Sequence, residues 1–585
     1  MTNNEISKIL YEIAEYLAME DVAFKPRAYE KAAIVIDDLE EEVREIYKKE
    51  GLKGLEKIPT IGKGIAKVIE ELLKTGKTKE HEQLKKKTPV KLSELTAVEG
   101  IGPKMIKKLY KELGVRNLKD LEKAAKTGKI RYLEDFGEKS EQNILQGIEF
   151  LKRSGNRFVL GFIMPDVRQI EERLRKLPGV KKLITAGSIR RMKETIGDGD
   201  ILATVSSLRA GQKVMDFFVN MPEIIHVYSK GTTRSSIRLK NNMDFDLRVV
   251  PEQSFGAALQ YFTGSKDHNI ALRKIAIEKG LKLNEYGLYK IQNAKIKDQN
   301  EKLKCKTEQE IYKRLGLQYI EPEMREDNGE IELAQENKLP KLIGYNDLRG
   351  DLQVQTTWTD GSNSIEEYTE EAMRLGLEYI AITDHTASLG VANGLDEKGL
   401  AQQGKEIDKI NMKYQLRNTK FRILKGAEVN ILKDGRLDIN DETLKKLDVV
   451  AIAVHSGFKM PKKEMTERII KAMKNPNADI LFHPTGRVIN RRPPYEVDIE
   501  KIIRVAKQTK TVLEINAYPN RLDLKDEHAR MAKEMGVKLS IDSDSHTIGH
   551  FHYLEFGISQ ARRGWVEKKD VINAWPVEKM LKMLK

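Results

Sequence analysis

The sequence contains one cysteine, Cys305, among 585 residues. No disulfide can form within the chain, so hydrophobic cores must hold the fold, and a reducing compartment is expected. No apolar run is long enough to span a bilayer. The opening MTNNEISKIL lacks a basic segment followed by an apolar one. These absences lead to the expectation of a cytoplasmic protein with no membrane partner. What the chain does have is charge: 33% charged and 40% hydrophobic residues, a balance that excludes a disordered chain. The net charge of +14 and pI of 9.2 favour a polyanionic partner, of which nucleic acid is the commonest. A Lys/Glu-rich surface of the heat-adapted kind gives the same signature, so charge alone does not decide.

The length is too great for one core, and roughly two to four domains are expected. Residues 1–150 read as short amphipathic helices joined by glycine turns. Strand-like runs follow in 151–250: KKLITAGS, DILATVSS and FDLRVVP. Residues 251–320 mix helix and short strand, and the acidic, apolar-poor stretch 321–344 reads as a linker. From 345 to 585 strands such as YIAITDH, VVAIAVH and KLSIDSDSH alternate with helices, which predicts parallel strands with helical crossovers, most simply a barrel.

Two turns repeat. TIGKG, with Gly62 and Gly64, and EGIGPK, with Gly100 and Gly102, each precede an amphipathic helix. Glycine lets another backbone approach, and the free N–H groups of a helix start favour phosphate. Lys63, Lys67, Lys104 and Lys107 flank these turns. A plain helix–helix turn would explain one copy. Two copies with flanking lysines favour a pair of helix-hairpin-helix modules that grip the DNA backbone without reading sequence.

A second motif, GSIRRMKETIGDGDIL, separates Asp198 and Asp200 by one residue at a strand start, so both carboxylates share a face. Such carboxylates repel unless a divalent cation sits between them, and magnesium suits a few hard oxygens plus substrate phosphates. Gly187 and Ser188 leave room for a triphosphate, and Arg190 and Arg191 can clamp its oxygens. In NMDFDLRVVP, Asp244 and Asp246 share one face, and spacing does not choose which completes a triad.

These motifs, in register over residues 1–320, resemble a family X DNA polymerase of the DNA polymerase beta type. FDLRVVP matches the strand of the third catalytic aspartate, which falls on Asp246. YFTGSKDHN resembles the sugar and minor-groove segment, and LRKIAIEKGLKLNEYGL the thumb helix and following strand. The resemblance implies that Asp198 and Asp200 bind Mg2+ or Mn2+, while Asp246 assists the primer 3′-OH. It implies a nucleotide set of Gly187, Ser188, Arg191, Gly197, Tyr261, Phe262, Gly264, Asn269 and Arg273. Ser188 and Arg191 would hold the triphosphate, Tyr261 and Phe262 would flank the sugar, and Gly264 would leave room for the base. Lys25 matches a DNA-phosphate lysine. The family's Schiff-base lysine position falls on Val68, which cannot form an imine, so weak or no lyase activity is expected.

In the C-terminal region His385, His455, His483 and His546 fall at strand ends, with Glu428 and Asp544 in equivalent places. Strand C-terminal ends collect the active site of a strand–helix barrel, and these side chains suit zinc or manganese. The region resembles the polymerase-and-histidinol-phosphatase (PHP) domain carried by many prokaryotic family X polymerases. That resemblance implies three ions at nine positions: Gln353, Gln355, Asp360, His385, Glu428, His455, His483, Asp544 and His546. Two are amides where the family has imidazoles, and an amide oxygen is a weak ligand for these metals. One ion keeps Glu428, His455 and His483; a second keeps Asp360, His385 and His546; the remaining one, left with Glu428 and Asp544, is expected to bind poorly.

The expected architecture is therefore multidomain. An all-α helix-hairpin-helix region (1–90, then a fingers-like 91–150) precedes an α+β nucleotidyltransferase palm (151–250) and thumb (251–320). The linker (321–344) and a distorted TIM-like α/β PHP barrel (345–585) follow. The expected function is gap-filling DNA polymerisation with dNTP on gapped or primer-template DNA, by a monomer. A reduced 3′-to-5′ exonuclease, using Mn2+ or Zn2+, is expected alongside it. The alternatives are a nucleotidyltransferase acting on RNA or a small molecule, and a DNA-binding scaffold with a vestigial PHP domain.

Overall fold

The computed structural model describes residues 1, 3–20, 22–39, 41–98, 101–154, 157–291, 302–416 and 419–584. The helices of the N-terminal region pack around one apolar cluster that runs from Ile6 to Ile148. The regions expected as separate units, 1–90 and 91–150, thus share a core. Tyr16 Oη, donating to Val90 O at 3.1 Å, helps tie the first helix to their junction.

The palm is a five-stranded sheet in the order Val180–Thr185, Asp198–Val205, Asp244–Val249, Arg234–Leu239, Ile224–Lys230. Asp198–Val205 and Asp244–Val249 run parallel, and the other pairs are antiparallel. Alternation along these strands buries Ile201, Ala203, Phe245 and Leu247 together with Val214 and Phe218 from the helix Leu208–Val219. The thumb follows with helices Phe255–Thr263 and Lys266–Glu278, the hairpin Leu281–Asn284/Gly287–Lys290, and the helix Glu308–Arg314.

The stretch 321–344 is not a linker. It forms a short 3-10 turn, Pro322–Met324, and a helix, Glu330–Gln335, and it buries Met324, Ile331 and Ala334 in the thumb core. Its polarity misleads because Glu323, Arg325 and Glu330 are buried. Fully buried Arg325 donates to Glu308 Oε1 at 2.7 Å, and Glu330 Oε1 lies 2.7 Å from His268 Nδ1. Buried charges persist where they are paired and hydrogen-bonded.

Seven parallel strands then follow one another in chain order, from Gly350–Val354 to Leu539–Asp542. A parallel bridge between Val354 and Ser545 brings the last strand beside the first and nearly closes a barrel. This barrel is not a separate bead. Its Leu522 and Phe556 sit within the apolar core of the palm, and a Cβ placed on Gly161 of the palm would meet Pro519 at 2.6 Å.

Candidate functional site

In the palm, parallel register sets Asp198 opposite Asp244 and Asp200 opposite Asp246. All four carboxylates share one face because each pair is two residues apart. Their partners separate them. Asp244 is gripped at both oxygens by Arg238, at 2.7 and 2.9 Å. Asp246 accepts from Ser236 Oγ at 2.5 Å and Arg234 Nη2 at 2.7 Å. Burial, then the charges of Asp198 and Asp246, push the Asp200 carboxyl up to about 6. Three crowded carboxylates with that excess of negative charge fit divalent cations. Glycine is required both in the turn ahead of them and between Asp198 and Asp200. Gly187 has φ +62°, and a Cβ there would lie 2.7 Å from Asp200 Oδ2, while a Cβ on Gly199 would lie 2.3 Å from the Phe245 ring.

The two arginines after Ser188 divide their work. Arg190 donates to both oxygens of Glu308, at 2.9 and 2.5 Å, and to Thr263 Oγ1. It is a tie between palm and thumb, not the phosphate clamp expected of it, because Glu308 holds both of its terminal nitrogens. Arg191 gives Nη1 to Thr263 O and Nε to Glu326 Oε1 at 3.2 Å; its Nη2 has no partner among the described residues. Ser188 is half-buried and Gly197 exposed beside Asp198. Tyr261 and Phe262 meet edge to face at 5.2 Å, and the Arg248 guanidinium lies 4.5 Å from the Phe262 centroid. Asn269 is buried and ties this corner, donating to Tyr261 O at 2.7 Å. A Cβ on Gly264 would stand 3.1 Å from Arg191 Nη1, and Arg273 is half-buried on the following helix. Sequence reading missed Arg234, Ser236 and Glu308, which have no local motif and act across strands or domains.

At the N-terminal surface, Gly62 caps the helix Lys63–Thr75 and Gly102 the helix Pro103–Leu113, neither with a side-chain cap. Added Cβ atoms at Gly62, Gly64 and Gly102 meet nothing within 4 Å, so the protein's own packing does not demand glycine there. These helix starts present free backbone N–H groups to solvent. Lys63, Lys67 and Lys104 are exposed around them, whereas Lys107 donates to Met19 O at 2.9 Å. Lys25 is exposed at the start of its helix, 4.0 Å from Glu80. Gly100 lies outside the described residues. Val68 is 8% exposed, inside the helix core.

In the barrel, every expected ligand stands at or just beyond the C-terminal end of a strand. His483 and Asp544 hold positive φ, +30° and +55°, a strain that packed sites maintain. Asp360, His385 and His546 bring ligand atoms within 4.8 Å of one another, and so do His385, Glu428 and His455. His483 Nε2 lies 2.9 Å from Glu428 Oε1 and His455 Nε2 3.0 Å from it. Although burial opposes its ionisation, His385 and His455 hold the Glu428 carboxyl well below the usual range. Asp360 Oδ1 and His385 Nδ1 are buried without hydrogen-bond partners among the described residues, which fits ions at these two positions.

The remaining position is different. Gln353 and Gln355 are fully buried, and both turn Nε2 toward Glu428 Oε2, at 3.3 and 2.8 Å. Gln353 Oε1 is occupied by Asn516 Nδ2 at 3.0 Å, and Arg521 Nε lies 3.3 Å from Asp544 Oδ2. Donors of this chain therefore already meet both carboxylates that an ion there would use. Gln355 Oε1 is a buried acceptor without a hydrogen-bond partner among the described residues, as is Oε1 of Glu514, whose Oε2 lies 3.4 Å from the same Asn516 Nδ2. The residues present do not fit a firmly held third ion.

Comparison with known proteins agrees with this layout. Residues 1–78 match a helix-hairpin-helix domain, 92–149 a SAM-like helix-hairpin-helix tandem, 258–326 a DNA polymerase beta thumb and 351–518 a PHP domain. The chain is 39% identical over 578 residues, 98% of each protein, to the DNA polymerase/3′-5′ exonuclease PolX of Bacillus subtilis (strain 168). Over 32% of its length it is 34% identical to a probable phosphatase of Thermoanaerobacter sp. (strain X514), covering 76% of that protein. A probable phosphatase of Acetivibrio thermocellus is likewise 34% identical, over 73% of its length. With hairpins, palm, thumb and barrel all matched along one continuous relative, the chain belongs to the family X DNA polymerases that carry a C-terminal PHP domain.

Proposed function

We propose that this chain fills short gaps in DNA by adding dNTP to a primer 3′-OH, and that its PHP domain is a phosphoesterase working with two well-held ions. The observation that carries the polymerase reading is the trio Asp198, Asp200 and Asp246 on adjacent parallel strands, with Asp200 pushed up to about 6. When bound by this trio, divalent ions activate the primer oxygen and neutralise the leaving pyrophosphate. The chain's own side chains do the rest. Ser236 and Arg234 orient Asp246 toward the 3′-OH, and Arg248 supports it at 3.4 Å. Ser188 and the uncommitted Nη2 of Arg191 meet the triphosphate. Phe262, backed by Arg248, and Tyr261 flank the sugar. The open turns at Gly62 and Gly102 hold the DNA backbone by their N–H groups, which suits sequence-independent binding.

In the barrel, Asp360, His385, His455, His483, Glu428 and His546 would hold two manganese or zinc ions, which supply an activated water for phosphodiester cleavage. The amides at Gln353 and Gln355 weaken the third position and reduce exonuclease activity. Extension of a primer across a one-nucleotide gap, in magnesium and in manganese, tests both readings when degradation of the same primer is followed in parallel. Transfer to an RNA or small-molecule acceptor with no extension of gapped DNA would overturn the polymerase assignment.

A further inference from the structure

We propose that Arg563, on the C-terminal domain, is a positioning residue for the palm's nucleotide site and acts through Arg191. The proposal rests on the reading of Arg191 as a triphosphate ligand.

Arg563 ends the helix Leu554–Arg563 and is 8% exposed. Its guanidinium is shared among three parts of the chain. Nε and Nη2 donate to Asp526 Oδ2 of the barrel at 3.0 and 2.8 Å. Nη1 donates to the backbone carbonyl of Arg191 at 3.0 Å and to Glu326 Oε1 at 3.1 Å. That same Glu326 oxygen accepts Arg191 Nε at 3.2 Å and lies 3.6 Å from Lys193 Nζ. Arg563 therefore fixes both the main chain of Arg191 and the carboxylate that aims its side chain.

The anchor itself is firm. Asp526 starts a barrel helix, and its carboxyl is held below its ordinary range by Arg563, against burial. A second arginine of the barrel, Arg487, pairs with Glu194 of the same palm motif at 2.7 and 3.3 Å. The segment between Ser188 and Asp198 is thus braced from the C-terminal domain at two points.

Without Arg563, the Arg191 carbonyl loses a buried donor and Glu326 keeps only Arg191 and Lys193. The freed carboxylate closes on them and draws the guanidinium away from the triphosphate. The three metal-binding aspartates are untouched. Loss of uniform substrate binding raises KM and spares kcat.

The test is steady-state single-nucleotide gap filling by the full chain in magnesium. Arg563→Ala is expected to raise KM for the incoming dNTP roughly tenfold, with kcat within about twofold. Arg563→Lys is expected to fall between, since one ammonium cannot span Asp526, the Arg191 carbonyl and Glu326 together as the planar fork does. Glu326→Gln preserves shape and is expected to raise KM in the same direction, which keeps the test valid should Arg563→Ala misfold. PHP phosphoesterase activity of each variant is expected to match the unmodified chain. Arg191→Lys separates the two levels. If it leaves KM unchanged, the nucleotide reading of Arg191 falls and the inference with it. If it raises KM while Arg563→Lys and Glu326→Gln do not, or if those variants lower kcat and melting temperature without moving KM, the inference alone is overturned.

Discussion

Gln355 turns its amide nitrogen onto Glu428, with Nε2 donating to Oε2 at 2.8 Å, where a metal position would need an acceptor. Gln353 does the same from 3.3 Å. The double replacement Gln353→His, Gln355→His exchanges two donors for ligands and is expected to raise the manganese bound per chain by about one ion. Elemental analysis of the dialysed protein counts it, and exonuclease activity is expected to rise in parallel. An unchanged metal content and unchanged nuclease rate would refute the account of the third position.

Asp244 and Asp246 share one face, so their substitutions compare directly. Asp246→Asn is expected to reduce primer extension by roughly 10²–10³-fold, as removal of a group acting on developing charge does. Asp244→Asn, which loosens the pairing with Arg238 and the contact with Tyr228, is expected to cost less than about tenfold. Asp198→Asn is expected to abolish extension while leaving the barrel's nuclease intact. Quantified gap filling and primer degradation on one gel decide all three.

His268 is buried between Glu330, at 2.7 Å, and the Tyr312 hydroxyl, at 2.8 Å. Burial lowers its pKa despite Glu330, so the folded state resists a proton that the unfolded chain accepts. This contribution to stability is complete above the unfolded value, about 6.5, and is lost as pH falls below it. Glu330→Ala is expected to destabilise the protein by about 1.5–3 kcal/mol, since it leaves buried His268 and the N–H groups of Asp327 and Asn328 without their acceptor. It is also expected to change the loss of stability between pH 7 and 5. Melting curves at the two pH values check both; a neutral effect would show that the acidic stretch is not part of the core.

Val68 sits in the hydrophobic core of its helix, and the neighbouring Lys67 is exposed. Borohydride trapping with a 5′-sugar-phosphate substrate is expected to give no adduct at this helix. Val68→Lys is expected to destabilise the N-terminal region by several kcal/mol by burying an unpaired ammonium. A strong adduct from the unmodified chain would contradict the first expectation.

The sequence was readable where function is local. Gly187, Ser188, Asp198 and Asp200 lie on one turn and the start of one strand, so their spacing marks them out together as a candidate site. The strand-end histidines are readable for the same reason: each follows its own apolar strand. Partnerships across more than a hundred residues were not visible. Arg190 looks like a phosphate clamp until Glu308, on a thumb helix, is seen to hold it. The stretch 321–344 looks like solvent-exposed chain until Arg325 and Glu330 are seen paired inside the thumb. Asp244 and Asp246 have the same alternation, so spacing does not separate them; the parallel register, which sets Asp246 opposite Asp200 and Asp244 opposite Asp198, is visible in the structure.

Leu522 and Phe556 complete the apolar centre of the palm from the far end of the chain. During synthesis the palm is made long before either residue leaves the ribosome, and until then its apolar cluster lacks them, an open greasy socket beside Gly161. A truncated polymerase ending near residue 340 keeps that socket permanently. Such a fragment is expected to self-associate or bind chaperones, and adding back the barrel as a separate polypeptide is expected to restore its solubility.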